Sequence, residues 1–193
     1  MSSLLPRELG GIGLCQMVNF YAIADTHFDH RKIIQYENRP EDYGNIIINN
    51  WNSVVTNKDV IYIAGDFCFA GKKRHEFYCN KLNGKKILVR GNHDDNSDSY
   101  YYDVGFNFVC DSFVLRKYGK KILITHRPQI EQIVKSDYDI NIHGHIHSKR
   151  LEDSYSIEPK YINCFKCVSV ERVNYTPISL QKLLDKNEKF WHI

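Results

Sequence analysis

Five short apolar runs, each ending in Asp, Asn or His, constrain this chain more than any other feature. Val18–Ala24 ends at Asp25, and Val60–Ala64 ends at Gly65-Asp66. Lys86–Arg90 leads into Gly91-Asn92-His93-Asp94, Lys121–Thr125 into His126, and Asp139–Ile142 into His143-Gly144-His145. Near-continuous β-branched runs of this length read as strands covered on both faces. Helical patterns lie between them. Glu41–Val55 places Ile47, Trp51 and Val54 on one stripe, the spacing of a core-facing helix. Lys72–Leu82 reads as a second helix, stopped by Asn83-Gly84, and Gln129–Lys135 as a short third. Phe106–Lys117 and Lys120–Thr125 flank Tyr118-Gly119 as a hairpin, so the sheets are not purely parallel. Tyr161–Val173 is expected to form one or two late strands and Ser179–Lys186 a terminal helix. The acidic, Ser- and Tyr-rich segment Asp94–Asp103 reads as a loop. This alternation predicts an α/β sandwich with mixed sheets.

A chain of 193 residues favours one domain. Residues 1–16, which precede the first strand-like run, are expected to be an N-terminal extension outside the fold, with 17–193 as the domain. The hydrophobic fraction of 42% and charged fraction of 25% exclude disordered, collagenous and coiled-coil classes. A net charge of +3 is too mild to specify a nucleic-acid partner. The basic run Gly71–His75 reads as a solvated helix start, with His75 and His192 assigned to solvent. No apolar run approaches the roughly 18–20 residues of a membrane span, and Met1–Gln16 lacks a secretory pattern. A cytoplasmic chain with reduced thiols at its six cysteines is therefore expected. The lone Cys164-Phe-Lys-Cys167 pair is read as a strand with buried thiols.

In α/β sheets ligands bind outside the carboxyl ends of the strands, where loops converge on a rigid frame. Five consecutive strand ends here deliver Asp25, His27, Asp66, Asn92, His93, Asp94, His126, His145 and His147, which is the pattern of a polynuclear metal site. The nine histidines of the chain find a purpose in it. Carboxylate, imidazole and amide oxygen without thiolate suit Mn²⁺, Fe²⁺, Zn²⁺ or Ni²⁺. His143 is assigned a supporting or packing role.

The blocks Asp25-x-His27, Gly65-Asp66, Gly91-Asn92-His93-Asp94, His126 and Gly144-His145-x-His147 occur in the order of a known signature. They resemble the calcineurin-like metallophosphoesterase superfamily, from about Val18 to the C-terminus. Asp25–His30, Tyr36–Pro40 and Asn50–Asn52 look like a small single-domain branch found in bacteria and their phages. The resemblance implies a two-sheet mixed β-sandwich flanked by helices, in four αββα layers. It implies one metal on Asp25, His27 and His147, a second on Asn92, His126 and His145, and Asp66 bridging them. Two divalent ions, with Mn²⁺ favoured, would bridge a hydroxide for in-line attack on a phosphate ester. His93 would be the general acid or phosphate stabiliser, and Asp94 would orient its imidazole. His30, Arg39 and Arg127 are candidates to line the substrate mouth. The expected activity is hydrolysis of a small phosphate ester, a phosphodiester before a monoester. The alternatives are a nuclease on DNA or RNA, which the mild charge disfavours, and an inactive scaffold on the same fold, which the filled ligand positions disfavour.

Overall fold

The structure is a computed structural model that describes residues 17–185. The expectations for residues 1–16, for Cys15 and for His192 lie outside the described residues. Strand β1 (Phe20–Ile23) is followed by helices α1 (Arg31–Tyr36) and α2 (Tyr43–Val54), then β2 (Val60–Ile63) and α3 (Lys72–Lys81). Next come β3 (Lys85–Val89), α4 (Asp98–Val104), β4 (Phe108–Cys110), β5 (Phe113–Lys117) and β6 (Lys120–Ile124). The chain continues through α5 (Ile130–Val134), β7 (Ile140–His143), α6 (Leu151–Ser154), a 3₁₀ helix (Pro159–Cys164) and β8 (Phe165–Cys167). The last elements among the described residues are β9 (Ile178–Ser179) and α7 (Leu180–Leu183).

Two mixed sheets result, ordered β4-β3-β2-β1-β9 and β5-β6-β7-β8. Strands β1 to β4 run parallel in the first, and β6 to β8 run parallel in the second. The two-residue period of a strand sorts their side chains onto opposite faces. Ala22, Ala24, Tyr62, Ala64 and Val89 turn inward and meet Ile122, Ile124, Ile142 and Val168 of the second sheet. Ile23, Ile61, Ile63 and Leu88 turn outward onto Ile33, Ile47, Trp51, Tyr78 and Tyr101 of α1 to α4. On the far side of the second sheet Phe165 and Cys167 pack with Ile133 and Leu151 of α5 and α6. Helices thus flank both sheets.

Several elements depart from their expected limits. The run expected as one strand, Phe106–Lys117, divides: β4 joins the first sheet, Asp111-Ser112 carry the chain across, and β5 joins the second. Its hairpin with β6 across Tyr118-Gly119 forms as expected, with Lys117 opposite Lys120. Tyr161–Val173 holds only β8; Pro159, at the start of the preceding segment, seeds the 3₁₀ helix, since proline suits a first helical turn. Part of the acidic segment expected as a loop is α4, capped where the Ser97 hydroxyl accepts the Tyr100 N–H. His75, assigned to solvent, is 2% exposed: α3 turns it onto α4, where its Nδ1 lies 3.1 Å from the Tyr100 hydroxyl. Cys167 is buried and Cys164 half-buried, and the five described cysteines are unpaired. Among the described residues no helix is long and apolar enough to cross a membrane.

Candidate metal centre

Parallel strands in both sheets end on one edge, and the two sheets are tied together there. Ala24, just past β1, forms a parallel bridge with Ser169, just past β8. The next residue, Asp25, turns into the left-handed region with φ 55°, as do His27 at 47°, Asp66 at 56°, His145 at 71° and His147 at 50°. Each such residue costs roughly 1 kcal/mol or more. Five of them on one edge show a backbone bent to aim side chains.

Close approach is permitted by the motif glycines. A Cβ at Gly91 would collide with the Asp66 carboxylate, and one at Gly144 would meet both Asp25 Oδ2 and Ala24.

The side chains so aimed bring carboxylate oxygens and imidazole nitrogens together with few hydrogen bonds between them. Asp25 Oδ2 accepts the Ser169 hydroxyl at 2.6 Å and the His145 N–H at 2.9 Å. Its Oδ1 is buried without a hydrogen-bond partner, as are both ring nitrogens of His27. His27 Nε2 and His147 Nε2 lie 4.0 and 3.9 Å from that oxygen. Asp66 Oδ1 accepts the His93 backbone N–H at 3.0 Å. Its Oδ2 sits between two imidazoles, 3.6 Å from His27 Nε2 and 3.5 Å from His126 Nε2. His126 Nδ1 lies 2.9 Å from the Ala64 carbonyl, which must receive an N–H and so leaves Nε2 with its lone pair. That Nε2 is 3.1 Å from both Asn92 Oδ1 and His145 Nδ1.

Buried lone pairs left without donors are costly, and a cation is what would satisfy so many at once. Two groups, Asp25–His27–His147 and Asp25–Asp66–His126, are tight enough to hold a metal ion. The donor set therefore fits divalent metal, with Asp25 common to both groups and Asp66 Oδ2 placed between His27 and His126. Burial pushes the Asp25 carboxyl up and the His27 imidazole down. Burial and the nearby His126 lower His145 to about 4. Burial lowers His147 too, yet the hydrogen bond with Glu171 and the charge of Asp25 outweigh it and leave that ring above its ordinary value.

The remaining candidates divide. His93 is exposed at the rim, its ring 4.5 Å from Phe69 and 5.9 Å from His27. Arg127 is exposed, with a guanidinium nitrogen 3.4 Å from Asn92 Oδ1. His30 stacks on Phe69 at 3.9 Å and 6°.

Asp94 corrects the expectation that it orients the His93 ring. It is 2% exposed and accepts the backbone N–H groups of Asp66 at 2.7 Å, Gly91 at 2.9 Å and Phe67 at 3.2 Å. It welds the β2 and β3 loops instead.

Arg39 also departs from its expected place at the mouth. Its side chain is fully buried and donates to the carbonyls of Asp25 and Thr26 at 2.8 and 3.0 Å. His143 is buried with Nδ1 2.9 Å from the Gly144 carbonyl, and burial lowers it to about 4.

Glu171, Ser169, Tyr43 and Phe69 were not singled out from the sequence. Glu171 carried a readable signal, because the apolar run Cys167–Val170 ends in it as the five other runs end in their polar residues.

A family model for the calcineurin-like phosphoesterase superfamily domain matches residues 18–164. An uncharacterized protein of Methanocaldococcus jannaschii is 36% identical over 182 residues, covering 90% of this chain and 93% of that protein. The gene 66 protein of Mycobacterium phage L5 is 26% identical over 163 residues, covering 68% of this chain and 79% of its own. The crystal structure of a protein of unknown function from Aquifex aeolicus superposes with a TM-score of 0.69 at 28% identity, covering 86% of this chain and 98% of that one.

Proposed function

Because the chain belongs to the calcineurin-like phosphoesterase superfamily, we propose that it is a metal-dependent hydrolase of phosphate esters, acting on a small phosphodiester. One observation carries the reading: buried carboxylate oxygens and ring nitrogens of Asp25, His27, Asp66 and His126 converge, and Asp25 Oδ1 and both His27 nitrogens have no hydrogen-bond partner. Asp25, His27 and His147 would hold one divalent ion and Asn92, His126 and His145 a second, with Asp66 shared. Bound there, the ions would polarise a phosphoryl oxygen and supply a water of lowered pKa for in-line attack.

The chain's own residues do the rest. The His93 N–H fixes Asp66 Oδ1 and leaves Oδ2 between His27 and His126, where it would be free to be shared. The His93 ring stands at the rim, where it can place a proton on the departing oxygen as the ester bond breaks. Arg127 adds one full positive charge beside Asn92, which suits the single negative charge of a diester.

Turnover of bis(p-nitrophenyl) phosphate by Mn²⁺-loaded protein, against the metal-stripped protein, tests the proposal. Asp66→Ala and His145→Ala should each lower kcat/KM at least about 100-fold, the order of a lost metal-centre group. A panel of aryl monoesters, cyclic nucleotides and short oligonucleotides then assigns the substrate. No turnover across the whole panel would sink the hydrolase reading, and preference for oligonucleotides would move it to a nuclease.

A further inference from the structure

The two halves of the centre are supported by different chemistry. In the half formed by Asn92, His126 and His145, His126 is oriented by a neutral group, the Ala64 carbonyl at 2.9 Å. In the other half, His147 is oriented by a charged one. Its Nδ1 lies 3.3 Å from both oxygens of Glu171. A carboxylate there must accept an N–H, so the imidazole is fixed with its Nε2 lone pair toward Asp25 Oδ1, 3.9 Å away.

Glu171 is itself held. Its Oε1 accepts two hydrogen bonds from Arg39, from Nε at 2.8 Å and from a terminal nitrogen at 2.6 Å. The same guanidinium donates to the carbonyls of Asp25 and Thr26, inside the turn whose Asp25 and His27 have positive φ. Beneath it lies the Tyr43 ring at 5.1 Å, and the Tyr43 hydroxyl donates to the His27 carbonyl at 2.5 Å. One buried cation thus braces Asp25 through its own carbonyl and His147 through Glu171, while His27 is held from either side, by the Thr26 carbonyl that Arg39 binds and by the Tyr43 hydroxyl on its own carbonyl.

We infer that Arg39 and Glu171 are positioning residues that set the affinity of the Asp25–His27–His147 half of the centre and leave the Asn92–His126–His145 half largely untouched. The inference rests on the metal-dependent reading above. A carboxylate behind a ligating imidazole raises its basicity and fixes its tautomer, and such partners are worth about 10- to 100-fold in metal affinity. Glu37, His147 and Glu171 are also close enough together to suggest a third cation. Arg39 already places a positive charge 2.6 Å from Glu171, and the Ser148 hydroxyl donates to Glu37 at 2.7 Å. The group is braced, not open.

The test titrates Mn²⁺ into the metal-stripped full chain and counts free Mn²⁺ by electron paramagnetic resonance. Two equivalents are expected for the wild type. Glu171→Gln should weaken one of them about 10- to 100-fold and leave the other within about threefold. His147→Ala should weaken the same one, and the double variant should be no weaker than His147→Ala alone, because Glu171 acts through that ring.

Glu171→Gln also strands Arg39 without its counter-charge, so Glu171→Asp is the companion variant. It keeps the charge for Arg39, draws the carboxylate back from Nδ1, and should give the same selective loss at smaller size. Equal weakening of both equivalents, additive losses in the double variant, or a third wild-type equivalent abolished by Glu171→Gln would overturn the inference. A wild type that binds no Mn²⁺ would overturn the metal-dependent reading, and this inference with it.

Discussion

Neighbours in the sequence, His93 and Asp94 face opposite surroundings, and their substitutions should fail in opposite ways. Asp94 is buried and satisfies three backbone N–H groups, and buried donors left without an acceptor cost on the order of 1–3 kcal/mol each. Asp94→Ala should therefore lower stability by roughly 3 kcal/mol or more, read as a shifted urea midpoint of the metal-stripped protein. An unchanged midpoint would return Asp94 to the catalytic group. His93 is exposed and anchored by its backbone N–H to Asp66, so His93→Ala should leave that midpoint nearly unmoved. Its kcat should fall by about 10²–10⁴-fold on alkyl esters, whose poor leaving groups need the proton, and far less on p-nitrophenyl esters. Equal losses on both would remove the general-acid assignment.

At the scale of elements, what matters is where a helix turns its polar residues. The basic start of α3 is spent locally: Lys72 pairs with Asp103, and Arg74 with Asp29. His75 lies on the buried face instead, with Phe67, Tyr100 and Tyr101 around it. Burial lowers its pKa below the ordinary 6.5. Above that ordinary value the ring is neutral folded and unfolded, and adds no pH dependence. As pH falls through it, the unfolded chain takes up a proton that the folded one resists, so stability declines. The melting temperature of His75→Gln should accordingly fall less than that of the wild type between about pH 7.5 and about pH 5.5. Parallel curves for the two proteins would show that His75 is not the titrating group.

For the whole molecule, the centre is an electrostatic debt held between two sheets. Asp25, His27, Asp66 and His126 are all nearly inaccessible, yet Asp25 Oδ1 and both His27 ring nitrogens have no hydrogen-bond partner. Metal binding and folding must then be linked, because an ion that binds only the native state stabilises it by mass action. Mn²⁺ at about 100 times its dissociation constant should add roughly 2.7 kcal/mol, about 5–11 °C in melting temperature for a chain of this size. The gain should vanish in Asp66→Ala. A melting temperature indifferent to Mn²⁺ would show that the centre does not close on a cation.

Much of this was legible in the chain itself, because strand ends are local. An apolar run must be followed by whatever leaves the sheet, so Asp25, Asp66, Asn92, His126 and His145 announced both the strands and the edge they share. The small inward residues Ala22, Ala24 and Ala64 were part of the same runs. What the sequence by itself could not determine was set by partners distant along the chain. Asp94 meets amides 27 and 28 residues away, Arg39 meets Glu171 at a separation of 132, and Ser169 reaches Asp25 across 144. Local pattern gives a residue's type and the period that orients it. Which buried donor a carboxylate will meet depends on how two sheets pack, and that only the tertiary structure decided.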